Sequence, residues 1–287
     1  MATFPERALA AVNAAATWAF DAAFALLAMV PPLVSLVLVS LVTAVVMLFV
    51  VARTSDQPRM ATTKRAMHAG LFEIRLFNDD LVAMLRAVGD LLWQNARYLR
   101  LSLVPLLWMA IPLVIVIAQL QAFYGYEGLV PGEPVLLKAE MDSAASAVRS
   151  AGATPAPVLE APPEIRVETG AVQLAGSNEV LWRIVPLSAG DFTVTVRAGD
   201  HASAKTVHVS GTIARRSPVR VAHGLLDLLL YPSEPPLDAS GPVQAISLSY
   251  PEPGLDVLGF RVHWLIVFMV VSMAGAFALA KRLGVTL

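Results

Sequence analysis

Three stretches of this chain, 33–52, 101–120 and 262–280, run for about twenty residues without a charged side chain. A helix rises ~1.5 Å per residue, so each approaches the ~30 Å of hydrocarbon in a bilayer and is predicted to span it. Pro31-Pro32 precedes the first span and Arg53 closes it. In 53–100 the apolar residues return at helical spacing: Met67, Leu71 and Ile74, then Leu81, Leu85, Val88 and Leu92. Asn78-Asp79-Asp80 stands between the two stripes as a turn and helix cap. The pattern predicts an antiparallel helical hairpin whose second helix passes into the second span without a break.

A weaker pattern occupies 8–29, where Asn13, Thr17 and Asp21 recur every four residues and Trp18, Phe20 and Phe24 are assigned to the opposite face. Two arrangements fit. A spanning helix would hold Asp21 inside the bilayer at a cost of roughly 2.5–3.5 kcal/mol and would require an inward-facing partner for it. An interfacial helix would turn the polar stripe to water and the aromatic residues to lipid. The cost of burying Asp21 favours the interfacial arrangement, and both stay open, with residues 1–30 as a separate N-terminal segment.

Polar positions inside the spans are few. Ser35, Ser40 and Thr43 in the first are expected to bond to their own helix or to a neighbour. In the second, Ser102 lies near Pro105 and Pro112, which are seven apart and so share a face; each lacks a backbone donor and frees a carbonyl one turn back. This span is expected to be bent and locally polar. In the third, Ser272 with Ala276 and Ala274 with Ala278 are small pairs that allow another helix to approach closely.

Past Phe123-Tyr124-Gly125-Tyr126, an aromatic belt where the chain leaves the bilayer, the period changes to two. Short runs at 135–141, 164–167, 180–185, 192–197 and 206–210 are rich in β-branched residues and are separated by turn signals, and Ile246, Leu248 and Tyr250 alternate as a last strand. Residues 143–163, rich in Ala, Ser and Pro, are expected to be a mobile loop, and 224–231 an apolar segment against the sandwich or the membrane surface. Trp182 and Ala189-Gly190-Asp191-Phe192 resemble the central strand and turn of an immunoglobulin-like domain, with Phe192 in place of the corner tyrosine. Residues 127–257 are therefore expected to form an all-β sandwich.

Composition and charge set the orientation. The mean hydropathy of +0.65 and the 56% hydrophobic content exceed those of ordinary soluble proteins. Residues 53–100 carry eight Lys or Arg against five acids, whereas 121–260 carry nine against fifteen. By the positive-inside rule, 53–100 and the C-terminus, with Lys281 and Arg282, are cytoplasmic and the β domain is extracytoplasmic. The fold class is thus an α-helical integral membrane protein of the inner membrane, with three spans, an interfacial helix or fourth span, a cytoplasmic hairpin and an extracytoplasmic immunoglobulin-like sandwich.

Candidate chemistry is sparse. The chain has no cysteine, and His68, His201, His208, His223 and His263 are dispersed without metal-ligand spacing. Asp79-Asp80 reads as a helix cap rather than a metal site. No phosphate-binding glycine loop or nucleophile elbow is present. A net charge of -1 argues against a nucleic-acid partner. These residues predict neither an enzyme nor a cofactor; the expected partners are the lipid bilayer and other membrane polypeptides.

The order of amphipathic helix, span, basic cytoplasmic hairpin, Pro-containing span and later span is similar to the core of the YidC-type membrane insertases. The residues carrying the resemblance are the Arg53-Thr54-Ser55-Asp56-Gln57 exit, the hairpin at 64–92 and the 98–112 entry into the second span. The likeness covers 8–121 and 262–280, roughly half the chain. It implies a protein that helps client polypeptides into the bilayer without a nucleotide, through a partly hydrated groove that lowers the cost of moving polar groups. Ser35, Ser40, Thr43, Ser102, Pro105 and Pro112 would line that groove, and Met67, Leu71, Ile74, Leu81, Leu85 and Val88 of the hairpin would meet the client. Asn13 and Asp21 would be polar groups at membrane depth if the first helix spans. The chain differs from many bacterial members in having no Lys or Arg inside a span, and in placing its β domain between the second and third spans. The alternative expectation is a membrane-anchored scaffold whose β domain binds a partner in an envelope complex.

Overall fold

The computed structural model describes residues 4–27, 29–76, 81–142, 156–174, 177–211, 214–257 and 259–282. The first half is helical: α1 (Phe4–Leu26), α2 (Pro32–Thr54), α3 (Gln57–Leu76) and α4 (Leu81–Tyr124). The second is mainly strands: β1 (Val135–Met141), β2 (Val158–Glu160), β3 (Ile165–Val167), β4 (Val172–Gln173), β5 (Glu179–Pro186), β6 (Gly190–Ala198), β7 (His201–Val209), β8 (Val219–Val221), β9 (Val243–Leu248), β10 (Leu255–Val257) and β11 (Phe260–Val262). A short helix, α5 (Leu225–Leu230), lies between β8 and β9, and α6 (Trp264–Ala280) ends the described chain. Two compact units result: Met1–Pro32 with Ile115–Trp264, and Leu33–Val114 with Leu265–Leu287.

The helical unit contains the membrane candidates. Among the described residues, α2 and Met84–Tyr124 of α4 are long and apolar enough to cross a membrane. The expected third span begins two residues late, because Phe260–Val262 pairs as β11 with β10. What remains, α6, has 17 residues and so covers ~26 Å. Leu48 and Val51 of α2, Met109 of α4 and Ala276, Leu279 and Ala280 of α6 pack into one cluster. Gly275 permits the approach of α2: a Cβ there would stand 2.9 Å from Leu41 Cδ2 and 3.5 Å from Ala44 Cβ. The small residues facing α2 are therefore Gly275 and Ala276, while the expected Ala274 and Ala278 pair is exposed.

The β unit packs two antiparallel sheets on one core. One has the order β3-β5-β1-β9-β8, with β4 also on β5; the other is β2-β6-β7. β1 shows how the sequence sets the faces: Val135, Leu137, Ala139 and Met141 are buried, and Leu136 and Glu140 point out. Leu137, Trp182, Ile184 and Ile246 from the first sheet meet Val194, Val196, Val207 and Val209 from the second. The run expected at 206–210 begins five residues earlier, at His201. Part of the segment expected to be a loop is strand β2, held on β6 by Leu159 opposite Val196; residues 143–155 of it lie outside the described residues. Phe192 is partly buried and packs against the core. A tyrosine-to-backbone link forms elsewhere, where the Tyr250 hydroxyl accepts from the His208 N–H at 3.1 Å.

Candidate functional site

In α2 and α4 the helix backbone accounts for the span hydroxyls that the sequence marks. Ser40 Oγ donates to the Leu36 carbonyl at 2.7 Å, Thr43 Oγ1 to Val39 at 2.8 Å and Ser102 Oγ to Tyr98 at 2.9 Å. Ser35, Ser40 and Thr43 are buried, as is Pro105; Ser102 and Pro112 are half-buried. Both prolines lie inside α4, where they leave the carbonyls of Leu101 and Trp108 without an i+4 donor.

In α3 and α4 the expected stripes point elsewhere. Met67, Ile74 and Val88 are half-buried, but Leu71 and Leu85 are exposed, as is Leu92. The approach of the two helices runs instead through small residues: Gly70 is buried, and a Cβ on it would lie 3.7 Å from Leu91 Cβ, while Ala87 is buried as well. Leu71, one position from Gly70, and Leu85, two from Ala87, are thereby rotated outward. Asn78-Asp79-Asp80 lies outside the described residues, and nothing is described of the Leu81 side chain. Asp56, in the exit from α2, caps α3 by accepting from the Arg59 N–H at 3.2 Å.

This rotation leaves one continuous feature. Val82, Leu85, Leu92, Leu99, Leu103, Leu107 and Val114 fall on one face of α4 and all are exposed. Gly89, Ala96 and Ala110 occupy the same face, which runs over 33 residues, or ~48 Å, and is interrupted by Arg100, five turns on from Val82. Arg86, Asp90 and Arg97 lie away from its centre line. An apolar track thus begins in the charged half of α4 and continues through its uncharged half.

A second cluster centres on α1. Asn13 Nδ2 donates to the Leu228 carbonyl of α5 at 2.6 Å, Gln119 Nε2 donates to Thr17 Oγ1 at 3.2 Å, and Arg215 Nε donates to Asp21 Oδ1 at 2.7 Å. Phe24 stacks on Phe123 with ring centroids 3.9 Å apart, and the Arg215 guanidinium lies 4.8 Å from the same Phe123 ring. The polar stripe is therefore bonded to protein along its length, with Asn13 buried, Thr17 half-buried and Asp21 still 48% exposed. Phe24 lies on its side of the helix, since 13, 17, 20 and 24 share a face at spacings of four and three; of the three aromatic residues only Trp18 is fully exposed. The 224–231 segment is α5, which packs on α1. A cavity of about 460 Å³ beside this contact is lined by Trp18, Asp21, Tyr231, Glu234 and the neighbouring prolines.

The most buried charge is one that sequence reading missed. The Lys205 ammonium is fully buried and lies 2.5 Å from Glu234 Oε2 and 3.0 Å from Ser217 Oγ. Glu234 Oε1 accepts from the Thr206 N–H at 2.8 Å. Burial pulls Lys205 below the usual lysine range, against the pull of Glu234. Burial pushes Glu234 up, but the Lys205 charge and the bonds from Lys205 and Thr206 outweigh it and hold the carboxyl below its ordinary value. The signal was available: 205, 207 and 209 alternate as inward positions once the strand is started at His201. Ser217 is itself buried and donates to Glu234 at 2.8 Å, so the trio forms a buried polar lock.

His208 Nδ1 meets Asp191 Oδ1 at 2.8 Å, whereas His68, His201, His223 and His263 are exposed. Among the described residues no group of three or more acidic or histidine side chains is placed to hold a metal ion. No family model, no curated protein and no solved structure matches this chain.

Proposed function

We propose that this protein assists the insertion or folding of client polypeptides in the membrane, with α4 as the element the client follows. The observation that supports this reading is the long apolar face of α4, interrupted by Arg100 where the charged half gives way to the uncharged one. In a helix surrounded by water, a face of leucines costs roughly 25 cal/mol per Å² of apolar area left uncovered. An apolar client segment covers that face outside the bilayer and loses nothing by moving along it into lipid. The basic residues around 53–100 support a cytoplasmic position for that end of α4, where new chains emerge. The carbonyl freed at Leu101, next to Ser102, offers polar relief where the uncharged half begins, and the one at Trp108 about 10 Å further in. The client's energy balance then needs no nucleotide.

The test is site-specific photo-crosslinking in native membranes during synthesis of membrane proteins. Probes at Leu85, Leu92, Leu99, Leu103 and Leu107 are expected to capture apolar segments of newly made chains; a probe at Asp90, on another face, is not. Probes at Ser40, Thr43 and Ser102 report whether clients pass the span hydroxyls. Capture of lipid and one stable protein alone would overturn the reading.

A second reading, an anchored scaffold in an envelope complex, is favoured by the cavity between α1 and the 231–236 segment, which offers a partner an aromatic and acidic rim. Under it, deleting 135–250 abolishes function; under the first, the truncated protein still captures clients.

A further inference from the structure

Helix α1 is inside out. Its polar residues, Asn13, Thr17 and Asp21, are all engaged with protein. From Ala8 onward its other face consists of Ala8, Ala11, Val12, Ala15, Trp18, Ala19, Ala22 and Leu26, every one exposed and none polar. Trp18 is 76% exposed and Leu26 85%. Amphipathic helices on water-soluble domains have the reverse arrangement, because their apolar side is the one that gains by being covered. A face of this kind belongs in lipid.

The contacts of α1 also fix how it can meet the bilayer. Asn13 and Asp21 bond to Leu228 and Arg215, both in the β unit, and Thr17 and Phe24 meet the last two turns of α4. A helix crossing the membrane would carry Asn13 some 16 Å below Phe24 and would drag the Leu228 carbonyl and α5 toward mid-bilayer. Residues 27–31 join α1 directly to α2, so its C-terminal end stays at the end of a membrane helix. We propose that α1 lies in the plane of the leaflet on the β-domain side, with its Ala, Val, Trp and Leu face immersed among the lipids and its polar face clamped to the β domain. It acts as a keel that holds the β domain at a set height above the bilayer. This does not depend on the client-handling reading.

The absence of cysteine makes the test direct. Full-length Val12→Cys, Trp18→Cys and Leu26→Cys variants are labelled with an environment-sensitive fluorophore in phosphatidylcholine vesicles and quenched by brominated lipid and, separately, by iodide. Leu38→Cys in α2 and the exposed Val158→Cys in β2 are the references for lipid and water, and Ala15→Cys replaces position 18 if that variant misfolds. The three α1 labels are expected to be quenched by shallow bromines, to resist iodide severalfold more than position 158, and to lie at equal depths about 5–10 Å below the headgroups. Depths at 12 and 26 that differ by about 21 Å would mean that α1 spans and would overturn the proposal. Iodide quenching like that at 158, or resistance to both quenchers, would overturn it too, the last by showing the face covered by protein.

Discussion

Arg215 Nε stands 2.7 Å from Asp21 Oδ1 and so ties the first helix to a residue 194 positions later in the chain. Arg215 is largely buried and also lies over the Phe123 ring, so losing the carboxylate leaves a guanidinium with few alternatives. Asp21→Asn is expected to weaken the attachment of α1 by about 1–2 kcal/mol, read as faster proteolysis between α1 and α2. The exchange Asp21→Arg with Arg215→Asp should recover part of the loss; no recovery would mean that the contact matters through packing alone.

The buried Lys205 and Glu234 pair makes a thermodynamic cycle. Lys205→Met strands a carboxylate and is expected to cost about 3–5 kcal/mol, whereas the double variant with Glu234→Gln should cost markedly less. Denaturant unfolding followed through the buried Trp182 measures both.

Acid should act on the same pair. Glu234 holds its proton less tightly folded than unfolded, so below its ordinary carboxyl value of 4.5 the unfolded chain takes up the proton first. The contribution of Glu234 is complete above that value and is lost as the pH falls through the folded one. Wild-type protein is expected to lose stability more steeply than Glu234→Gln over this interval, and parallel curves would assign acid sensitivity to other carboxyls.

Tyr250 is pushed up to about 12 by burial, opposed in part by its bond from the His208 N–H. Its phenolate absorbance should be missing from an alkaline titration carried to pH ~11, well past the ordinary tyrosine value. Tyr250→Phe is expected to cost about 1–3 kcal/mol, because it leaves that N–H unpaired between the sheets.

In the helical unit, Gly275 separates two degrees of crowding. Gly275→Ala meets the flexible end of Leu41 and should be nearly neutral, while Gly275→Val is expected to cost about 1–3 kcal/mol of helix association. Thermal unfolding in detergent compares them.

Hydrophobic period and length were enough to find α2, the unbroken passage of α4 through Arg100 and the strands β1, β5 and β6, because each follows from a sustained apolar pattern. Contacts chosen by small residues were not legible. Leu71 and Leu85 looked like the inner stripe of a hairpin, but Gly70 and Ala87 win because a close approach of backbones needs little volume. The partners of Asn13 and Asp21 were also out of reach, since Leu228 and Arg215 are about two hundred residues away and no local pattern pairs them. Lys205 was missed by starting β7 five residues late.

The distance in sequence between Asp21 and Arg215 sets a timetable for biosynthesis. A ribosome adding about 5–20 residues per second needs on the order of ten to forty seconds to reach the arginine after the aspartate has been made. Until the downstream partners are made, first Gln119 and then Arg215 and Leu228, polar side chains of the nascent α1 lack their final partners, beside an apolar helix long enough to enter a bilayer. Translation speed and early escort of this short segment therefore become determinants of whether α1 reaches its seat on the β unit.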